Sequence, residues 1–277
     1  LNWANGLWTL PLPAHLMHAP SRKMLPLEAL DTGGGLPRLP TGVRLQLDER
    51  DVSDDGGFGG TVWRAASALC RWQLSEVEQI QGARILELGA GTGAVGLFAA
   101  ALGARQVVLT DGEEALLPLL HWNALQNRRF VRGEMLFGQW RFGDLPRFPM
   151  PEGLEGDKNY FEFVMGSDIT YSVKSERNSL CHTLRQLLRS GTAKRCILSH
   201  EHRRSDMFDI ETIMRDMLPS TIAENDEALQ IFLSAAADHD LLVTPIVTEW
   251  GRRGQGHRKV GLTSDLSIFE VSWVGNQ

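Results

Sequence analysis

The chain has 277 residues, of which 43% are hydrophobic, and this length is sufficient to bury the core of one large domain. Its 28 basic and 34 acidic residues give a formal net charge of -6, which argues against a general nucleic-acid-binding protein. The three cysteines show no paired spacing, so neither a disulfide framework nor a metal site is expected. No apolar run approaches the roughly 20 residues that cross a bilayer. We expect a cytoplasmic protein without membrane contact, with the nucleus and organelles left open.

The first 42 residues differ in composition from the rest of the chain. Prolines recur throughout them and glycines fill positions 33–35, which interrupts the periodicity of helices and strands. The segment is a poor secretory signal because no basic stretch precedes it; a trimmed terminus and a processed organelle import sequence both stay open. We predict an irregular arm over 1–42, with Trp3 and Trp8 packed against the body, and one domain over 43–277.

The domain begins with three predicted features. Apolar and polar residues alternate over 43–47, which predicts a half-exposed strand. Residues 51–60 are acidic and rich in glycine, which is typical of a loop. Apolar residues then recur at helical spacing over 61–74, with Thr61 as the expected N-cap.

The stretch from Arg84 to Asp111 predicts one strand-turn-helix-strand unit. A short apolar run ends in Gly89, Gly91 and Gly93, a helix of small residues follows, and a second apolar run ends at Asp111. Glycines allow backbone angles that other residues avoid, and a helix that begins there offers unpaired N–H groups. We therefore predict a site for a cofactor that carries adenosine.

Two cofactor classes use such a turn. Gly89, Gly91 and Ala94 match the dinucleotide pattern G-x-G-x-x-G/A, and Asp111 follows about 20 residues later. Glu87, however, completes the spacing Glu-x-Gly-x-Gly-x-Gly, which resembles the first motif of S-adenosylmethionine-dependent methyltransferases. A carboxylate there can accept hydrogen bonds from the turn and help to place a cationic methionine group, whereas it would repel a pyrophosphate. The methyl donor is therefore favoured.

The remainder of the chain alternates helices and strands. Helices are predicted over 113–126, 175–190, 206–218 and 226–238, and strands over 134–140, 161–165, 195–199, 241–247 and 267–273. A polar connection covers 141–159, and a basic, glycine-rich segment covers 251–261. This alternation predicts a mainly parallel sheet covered on both faces.

Several polar or aromatic residues follow predicted strands directly. In an open parallel sheet, ligands bind beyond the carboxyl ends of the strands. The glycine turn, Asp111, Trp140, Ser167 and Asp168 should therefore converge on one crevice. Asp111 would accept hydrogen bonds from ribose hydroxyls, and Trp140 would lie against the adenine. The alternatives are a helix cap for Asp111 and a core position for Trp140.

Six motifs occur in a fixed order within residues 43–273. They are Gly60-Thr61-Val62-Trp63, Glu87 to Gly93, Leu109-Thr110-Asp111, Trp140, Gly166-Ser167-Asp168-x-x-Tyr171 and Ile268-Phe269-Glu270. This order resembles that of the seven-β-strand protein lysine methyltransferases of the methyltransferase-like group. The resemblance implies a Rossmann-like α/β fold: a seven-stranded, mostly parallel sheet with helices on both faces and a final antiparallel hairpin. It also implies S-adenosyl-L-methionine as the cofactor.

The resemblance further implies roles for single residues. The expected cofactor contacts are Trp63, Gly89, Gly91, Asp111, Trp140 and Ser167, to which the turn motif adds Glu87 and Gly93. The expected catalytic residues are Asp168, which would orient the acceptor amine, and Tyr171, which would wall the acceptor channel. An in-line displacement requires a neutral amine about 3 Å from the methyl carbon and shielded from water. The other interpretation of Asp168 to Tyr171 is a helix cap followed by a packing aromatic.

A polar cluster follows the strand predicted over 195–199. Glu201-His202-Arg203 resembles a cluster that the family places near the acceptor mouth. His202 is one candidate proton acceptor there, and the alternative is a surface histidine.

We expect an enzyme that methylates a lysine side chain of a protein partner, and we take a monomer as the working expectation. The alternatives are a small amine or another protein side chain, such as arginine or histidine, as the methyl acceptor. A nicotinamide-dependent oxidoreductase is disfavoured by Glu87 and by the spacing of Tyr171 and Lys174, which is one residue short of the usual Tyr-x-x-x-Lys pair. A non-catalytic binding module is the remaining alternative.

Overall fold

The computed structural model describes residues 2–4, 7–10, 35–50, 59–144, 160–171, 174–202, 226–246 and 266–275. Five predicted features lie wholly or mostly outside these residues: most of the irregular arm over 1–42, the acidic loop, most of the 141–159 connection, the 206–218 helix and the basic segment over 251–261. Within the described part, no helix has the length and hydropathy to cross a membrane.

The described residues form one sheet of nine strands in the order β1-β2-β5-β4-β3-β6-β7-β9-β8. The strands are β1 (Asn2–Ala4), β2 (Leu7–Leu10), β3 (Arg84–Leu88), β4 (Gln106–Asp111), β5 (Glu134–Gln139), β6 (Phe161–Ser167), β7 (Ala193–Glu201), β8 (Leu241–Pro245) and β9 (Leu266–Trp273). Strands β5, β4, β3, β6 and β7 run parallel, while β9 is antiparallel to both β7 and β8. The predicted seven-stranded sheet with a final antiparallel hairpin is therefore confirmed over β3 to β9.

Six α-helices in the described residues connect and cover these strands. They are α1 (Arg64–Ser75), α2 (Val77–Ile80), α3 (Ala94–Leu102), α4 (Leu117–Asn127), α5 (Lys174–Arg189) and α6 (Glu227–Asp238). Successive strand residues point to opposite faces, so Ile85 joins the apolar cluster of α1, α3 and α4, while Leu86 joins that of α5 and α6. Both faces are therefore covered, as predicted.

The first two strands differ from the predicted irregular arm. β1 and β2 pair antiparallel, and β2 pairs antiparallel with β5, with Trp8 opposite Phe137. In the sequence, Asn5-Gly6 lies between the two strands, and an Asn-Gly pair between apolar segments is a strong hairpin signal. The prolines that begin at Pro11 concealed this local signal.

The predicted strand over 43–47 is wrong. Asn127 donates to the carbonyl of Gln46 at 2.6 Å and accepts the N–H of the same residue at 3.0 Å. Asn123 pairs with the carbonyl and N–H of Asp48 at 3.0 and 2.8 Å. Both asparagines belong to α4 and are almost completely buried. Their side-chain amides thus provide the hydrogen bonds that a neighbouring strand would supply.

The predicted start of the first helix is also wrong. α1 begins at Arg64, and Trp63 occupies the N-cap position without a side-chain cap. Before it, the N–H of Val62 donates to a carboxylate oxygen of Glu49 at 2.6 Å. Thr61 therefore lies outside the helix.

Asn123→Ala should lower the free energy of unfolding by roughly 1–3 kcal/mol, because buried groups lose their hydrogen-bond partner. The affected groups are the backbone of Asp48 and the carbonyl of Thr92, which also accepts from Asn123. Urea denaturation measures this change. The matched control is Arg128→Ala at the exposed end of the same helix, which should stay within about 0.5 kcal/mol of the parent. Equal stability of the two variants would contradict the proposed role of Asn123.

Candidate functional site

The glycine turn after β3 brings the backbone close to a second loop. Gly91 has a φ of 53°, and a Cβ at this position would lie 2.4 Å from the carbonyl oxygen of Gly59. A larger residue would meet both backbone strain and a clash. The turn ends at Gly93, where α3 begins, so the first N–H groups of this helix follow the bend directly.

Asp111 connects the turn to the end of β4. Its Oδ2 accepts the N–H of Gly91 at 2.8 Å, and its Oδ1 accepts the N–H of Glu113 at 2.9 Å. Burial raises the pKa of the Asp111 carboxyl, although the N–H groups of Glu113 and Gly91 oppose this shift. Each carboxylate oxygen has a second lone pair, so Asp111 retains the capacity to accept bonds from a ligand hydroxyl.

Glu87 lies beneath the turn rather than in its opening. Its Oε2 accepts the N–H of Gly96 in the first turn of α3 at 2.7 Å. Its Oε1 is buried and has no hydrogen-bond partner among the described residues. Burial raises the pKa of Glu87 to about 8. The carboxyl group of Glu87 therefore ties the end of β3 to α3.

A cavity of about 430 Å³ opens at the carboxyl ends of β3, β4 and β6, as the strand-end rule predicts. The predicted site residues that line it are Trp63, Gly89, Gly91, Asp111, Ser167, Asp168 and Tyr171. These residues are distributed over more than a hundred positions of sequence. The fold therefore brings together most of the predicted site.

Three predicted site residues do not line the cavity. Glu87 and Gly93 lie in the support beneath the turn. Trp140 is buried in the same apolar cluster as Leu88, and its indole N–H donates to the carbonyl of Asp144 at 3.0 Å. The structure thus gives Trp140 the core position that the sequence left open as the alternative.

The residues after Trp140 line the cavity instead. Arg141 and Phe142 both contribute to its wall, and no motif pointed to them. They come directly after Trp140, which follows β5, so the strand-end rule that selected Trp140 could have selected them as well.

The segment that begins at Asp168 is held against β7. Asp168 has a φ of 55°, which is uncommon for a residue other than glycine and is tolerated best by aspartate and asparagine. Its N–H donates to the carbonyl of Ser199 at 2.7 Å, and its Oδ1 accepts the N–H of Glu201 at 3.2 Å. Helix α5 begins only at Lys174. The hydrogen bonds of Asp168 thus hold the segment to the neighbouring strand, and the interpretation as a helix cap is not supported.

A histidine cluster lies behind this segment. The side chain of His202 is only 2% exposed, so its interpretation as a surface histidine is wrong. His200 and Asp226 join it, and their potential ligand atoms lie within 4.8 Å of one another. Burial opposes ionisation of Asp226, but hydrogen bonds from His200, His202 and the N–H of Leu229 outweigh it and hold the pKa of this carboxyl below its usual range. His200 and Asp226 had no role in the predicted site.

The charges in the cavity decide between the two predicted cofactor classes. Among the described lining residues, three carry carboxyl groups (Asp111, Glu113 and Asp168) and one, Arg141, carries a guanidinium. Such a lining favours a cation with hydroxyl groups over a pyrophosphate. The volume lies within the usual range for ligand pockets, about 300–1,000 Å³. The residues present therefore fit a sulfonium nucleoside.

Comparison with known families agrees with this geometry. Residues 42–210, more than half of the chain, match a family model described as lysine methyltransferase. The chain belongs to this family. The predicted methyltransferase activity toward lysine and S-adenosylmethionine as its methyl donor are thereby confirmed.

Named relatives of this methyltransferase act on proteins. The protein N-lysine methyltransferase METTL21A of Danio rerio is 31% identical over 62% of the chain and 73% of that protein. EEF1A lysine methyltransferase 3 of Mus musculus is 29% identical, with coverage of 67% and 75%. The calmodulin-lysine N-methyltransferase of Arabidopsis thaliana is 26% identical, with coverage of 70% and 65%.

Solved structures also resemble the methyltransferase. One is magnesium protoporphyrin IX methyltransferase from Synechocystis with bound S-adenosylhomocysteine. It has a TM-score of 0.47 and 16% identity, and the match covers 76% of this chain and 82% of that one.

Glu87 should make the stability of the methyltransferase depend on pH. Its pKa rises from 4.5 to about 8 on folding, so the stabilisation from its bound proton is complete below 4.5 and is lost as the pH increases through about 8. Because glutamine has no carboxyl group to titrate, Glu87→Gln should not show this loss of stability. From about pH 5.5 to about pH 8.5, the variant should gain roughly 1 kcal/mol or more in unfolding free energy relative to the parent, measured by urea denaturation.

The control for this prediction is Glu78→Gln, which changes an exposed carboxylate on α2. Its stability should follow that of the parent at both pH values. If the difference in unfolding free energy between Glu87→Gln and the parent were the same at both pH values, Glu87 would not bind its proton more tightly in the folded chain than in the unfolded chain.

Proposed function

We propose that this methyltransferase modifies a lysine of a protein substrate in the cavity beyond β3, β4 and β6. The observation that carries the proposal is the convergence of Asp111, Asp168 and Tyr171 on one cavity. Asp111 belongs to the turn side of the cavity and Asp168 to the β7 side, so the cavity offers separate places for a donor and an acceptor.

The donor side consists of the glycine turn, Asp111 and apolar walls. In this proposal Asp111 accepts hydrogen bonds from the ribose hydroxyls, and the N–H groups at the start of α3 face the methionine carboxylate. Trp63, Phe142 and Ile169 contribute apolar surface to the wall. When bound, S-adenosylmethionine supplies a methyl group on a sulfonium, which is already a good leaving group. The protein therefore needs no covalent intermediate.

The acceptor side shows a gradient of exposure. Asp168 is 3% exposed, whereas Tyr171 is 37% exposed at the opening. This order suits a lysine, whose ammonium group can reach the inner carboxylate while its methylene stem lies against the tyrosine ring. Asp168 would then hold the amine and direct its lone pair toward the methyl group.

A protein substrate fits the rim of the cavity. Trp63 and Tyr171 both line the cavity and are 36% and 37% exposed. Partly exposed aromatic side chains are enriched where proteins bind one another. Protein N-lysine methyltransferase METTL21A and EEF1A lysine methyltransferase 3 are named for protein acceptors, which supports the same substrate class here.

The cysteines support the cytoplasm as the compartment of the enzyme. Cys70, Cys181 and Cys196 are all buried and unpaired. Three free thiols are typical of proteins from a reducing compartment. We propose that the enzyme acts there as a monomer.

Asp111→Ala should weaken the binding of S-adenosylhomocysteine at least tenfold. It removes up to two charge-assisted hydrogen bonds to the ribose, each worth about 1.5–3 kcal/mol at most, and the bond that secures Gly91. Isothermal titration calorimetry measures the affinity. Glu114→Ala, an exposed substitution in the next turn, should leave it unchanged. Unaltered affinity in Asp111→Ala would reject the ribose assignment.

Asp168→Asn should retain the binding of S-adenosylhomocysteine but reduce methyl transfer at least a hundredfold. Asparagine tolerates the left-handed backbone and can still accept the N–H of Glu201, so the change removes mainly the negative charge. Incubation with labelled S-adenosylmethionine and a dialysed cell extract measures transfer into protein bands. Label in small molecules instead of protein would contradict the protein substrate, and full activity would place the acceptor elsewhere.

A further inference from the structure

A series of buried polar side chains begins next to Asp168. These side chains take no part in the proposed cofactor site. The hydroxyl of Thr170 lies 2.7 Å from Nδ1 of His200, and Nε2 of His200 lies 2.8 Å from Oδ2 of Asp226. His202 approaches the same Oδ2 through Nδ1 at 3.1 Å. Thr170 and His200 are fully buried, and Asp226 is almost so. These groups connect the acceptor segment, β7 and the start of α6.

The hydrogen bonds determine where the protons of this chain lie. The pKa of Asp226 is lowered, so its carboxylate only accepts, and His200 must carry a proton on Nε2. In the tautomer with its single ring proton on Nε2, Nδ1 of His200 accepts from the hydroxyl of Thr170. The same Nδ1 is 3.8 Å from Oδ1 of Asp168. The unprotonated nitrogen of His200 therefore faces the acceptor side of the cavity.

The ring of His200 lies between two carboxyl groups. The titratable groups that face it are Asp168 after β6, Asp226 before α6, and His202 on its own strand, with the two ring centroids 5.2 Å apart. The adjacent Glu201 points to Arg64, with 3.1 Å between their charged atoms. A carboxylate on each side of the ring would stabilise the imidazolium that forms once His200 has taken up a proton. Serine hydrolases use a buried aspartate in the same way to stabilise a histidine that has taken a proton.

The three side chains His200, His202 and Asp226 are also close enough to suggest a metal site. The distances from Asp226 to the two rings, 2.8 and 3.1 Å, are those of hydrogen bonds. The second nitrogen of His202 is also engaged, 2.5 Å from the hydroxyl of Ser267. A proton-carrying chain accounts for all of these contacts, so we favour it over a metal.

We propose that His200, backed by Asp226, receives the proton that the substrate ammonium gives up to Asp168. This inference rests on the proposed function, because it requires a lysine at Asp168. An N–H bond of the ammonium breaks, its electron pair stays on nitrogen, and the proton joins the carboxylate of Asp168. The proton then passes to Nδ1 of His200, and the hydroxyl of Thr170 turns its hydrogen away.

The remaining steps balance without a further reactant. The free electron pair of the amine forms the bond to the methyl carbon while the C–S bond breaks and leaves its electrons on sulfur. The protonated ring faces Asp226 until product release opens the cavity to water, which removes the proton. His200 is therefore a positioning residue that acts through Asp168, not a group that contacts the substrate.

Two substitutions test the proposal in the full chain. His200→Gln keeps an amide in place of the ring but cannot take up a proton, and Asp226→Asn removes the charge behind it. Both should lower methyl transfer from labelled S-adenosylmethionine into dialysed extract protein at least tenfold near pH 7. The loss should shrink as the pH rises toward about 9, where hydroxide can remove the proton. Affinity for S-adenosylhomocysteine should change less than twofold.

The matched control is His239→Gln. His239 lies at the end of α6 and takes no part in the hydrogen bonds that join Thr170, His200 and Asp226. This variant should transfer methyl groups like the parent at every pH. Parent-like activity of His200→Gln and Asp226→Asn near pH 7 would overturn the proposal. So would a loss that is equal at every pH, because it would indicate a purely structural role.

Nuclear magnetic resonance of the unaltered chain with ¹⁵N-labelled histidine gives a second measurement. It does not depend on turnover or on the folding of a variant. The expected spectrum near pH 7 shows His200 with a proton on Nε2 and none on Nδ1. The opposite tautomer, or the loss of the Nε2 proton when one equivalent of Zn²⁺ is added, would overturn the proposed proton transfer to His200.

The proposed protein substrate and the proposed proton transfer to His200 can be rejected separately. A parent enzyme that labels no protein, together with the expected ring spectrum, would reject the proposed protein substrate but leave the arrangement of His200 established. A parent enzyme that labels protein, together with a His200 proton on Nδ1 instead of Nε2, would reject only the proton transfer to His200.

Discussion

The hydrogen bond between the N–H of Gly91 and the carboxylate of Asp111 is the contact on which the site depends. It joins the bend after β3 to the end of β4, two neighbouring strands that run in the same direction. Because Gly91 is also in close contact with Gly59, the same bond sets the distance between the bend and the segment that leads to Trp63. Glu87 reinforces the arrangement from below by holding the first turn of α3. The glycine-turn side of the cavity is thus built on two carboxyl groups, one in its wall and one beneath it.

Much of this arrangement could be predicted because it follows from local patterns. The alternation of apolar runs and amphipathic segments predicted β3 to β9, and the strand-end rule predicted that Asp111, Ser167 and Asp168 would meet. Trp140 shows the limit of that rule. A strand end brings several consecutive residues to the crevice, and side-chain direction decides which of them face it. The indole of Trp140 turns into the core, and Arg141 and Phe142 face the cavity.

Other features could not be predicted because they depend on contacts between residues distant in sequence. The segment over 43–47 alternates like a strand, but its backbone is bound by Asn123 and Asn127, about 75 to 80 residues away. The pairing of His200 with Asp226 likewise joins two elements that no motif connects. In both cases a distant polar side chain provides a hydrogen bond that a neighbouring strand or water would otherwise provide. Periodicity and local propensity do not record such replacements.

The N-terminal hairpin has a consequence for handling the protein. A strand at the border of a sheet exposes a row of unsatisfied amide and carbonyl groups, which can recruit a second molecule and begin aggregation. In this chain β2 pairs with β5 and β1 pairs with the outer side of β2, so β1 takes the border position and the two strands cover the edge of β5. Shortening the chain to a compact catalytic core would uncover β5. An expression tag is therefore better placed at the carboxyl terminus than at the hairpin.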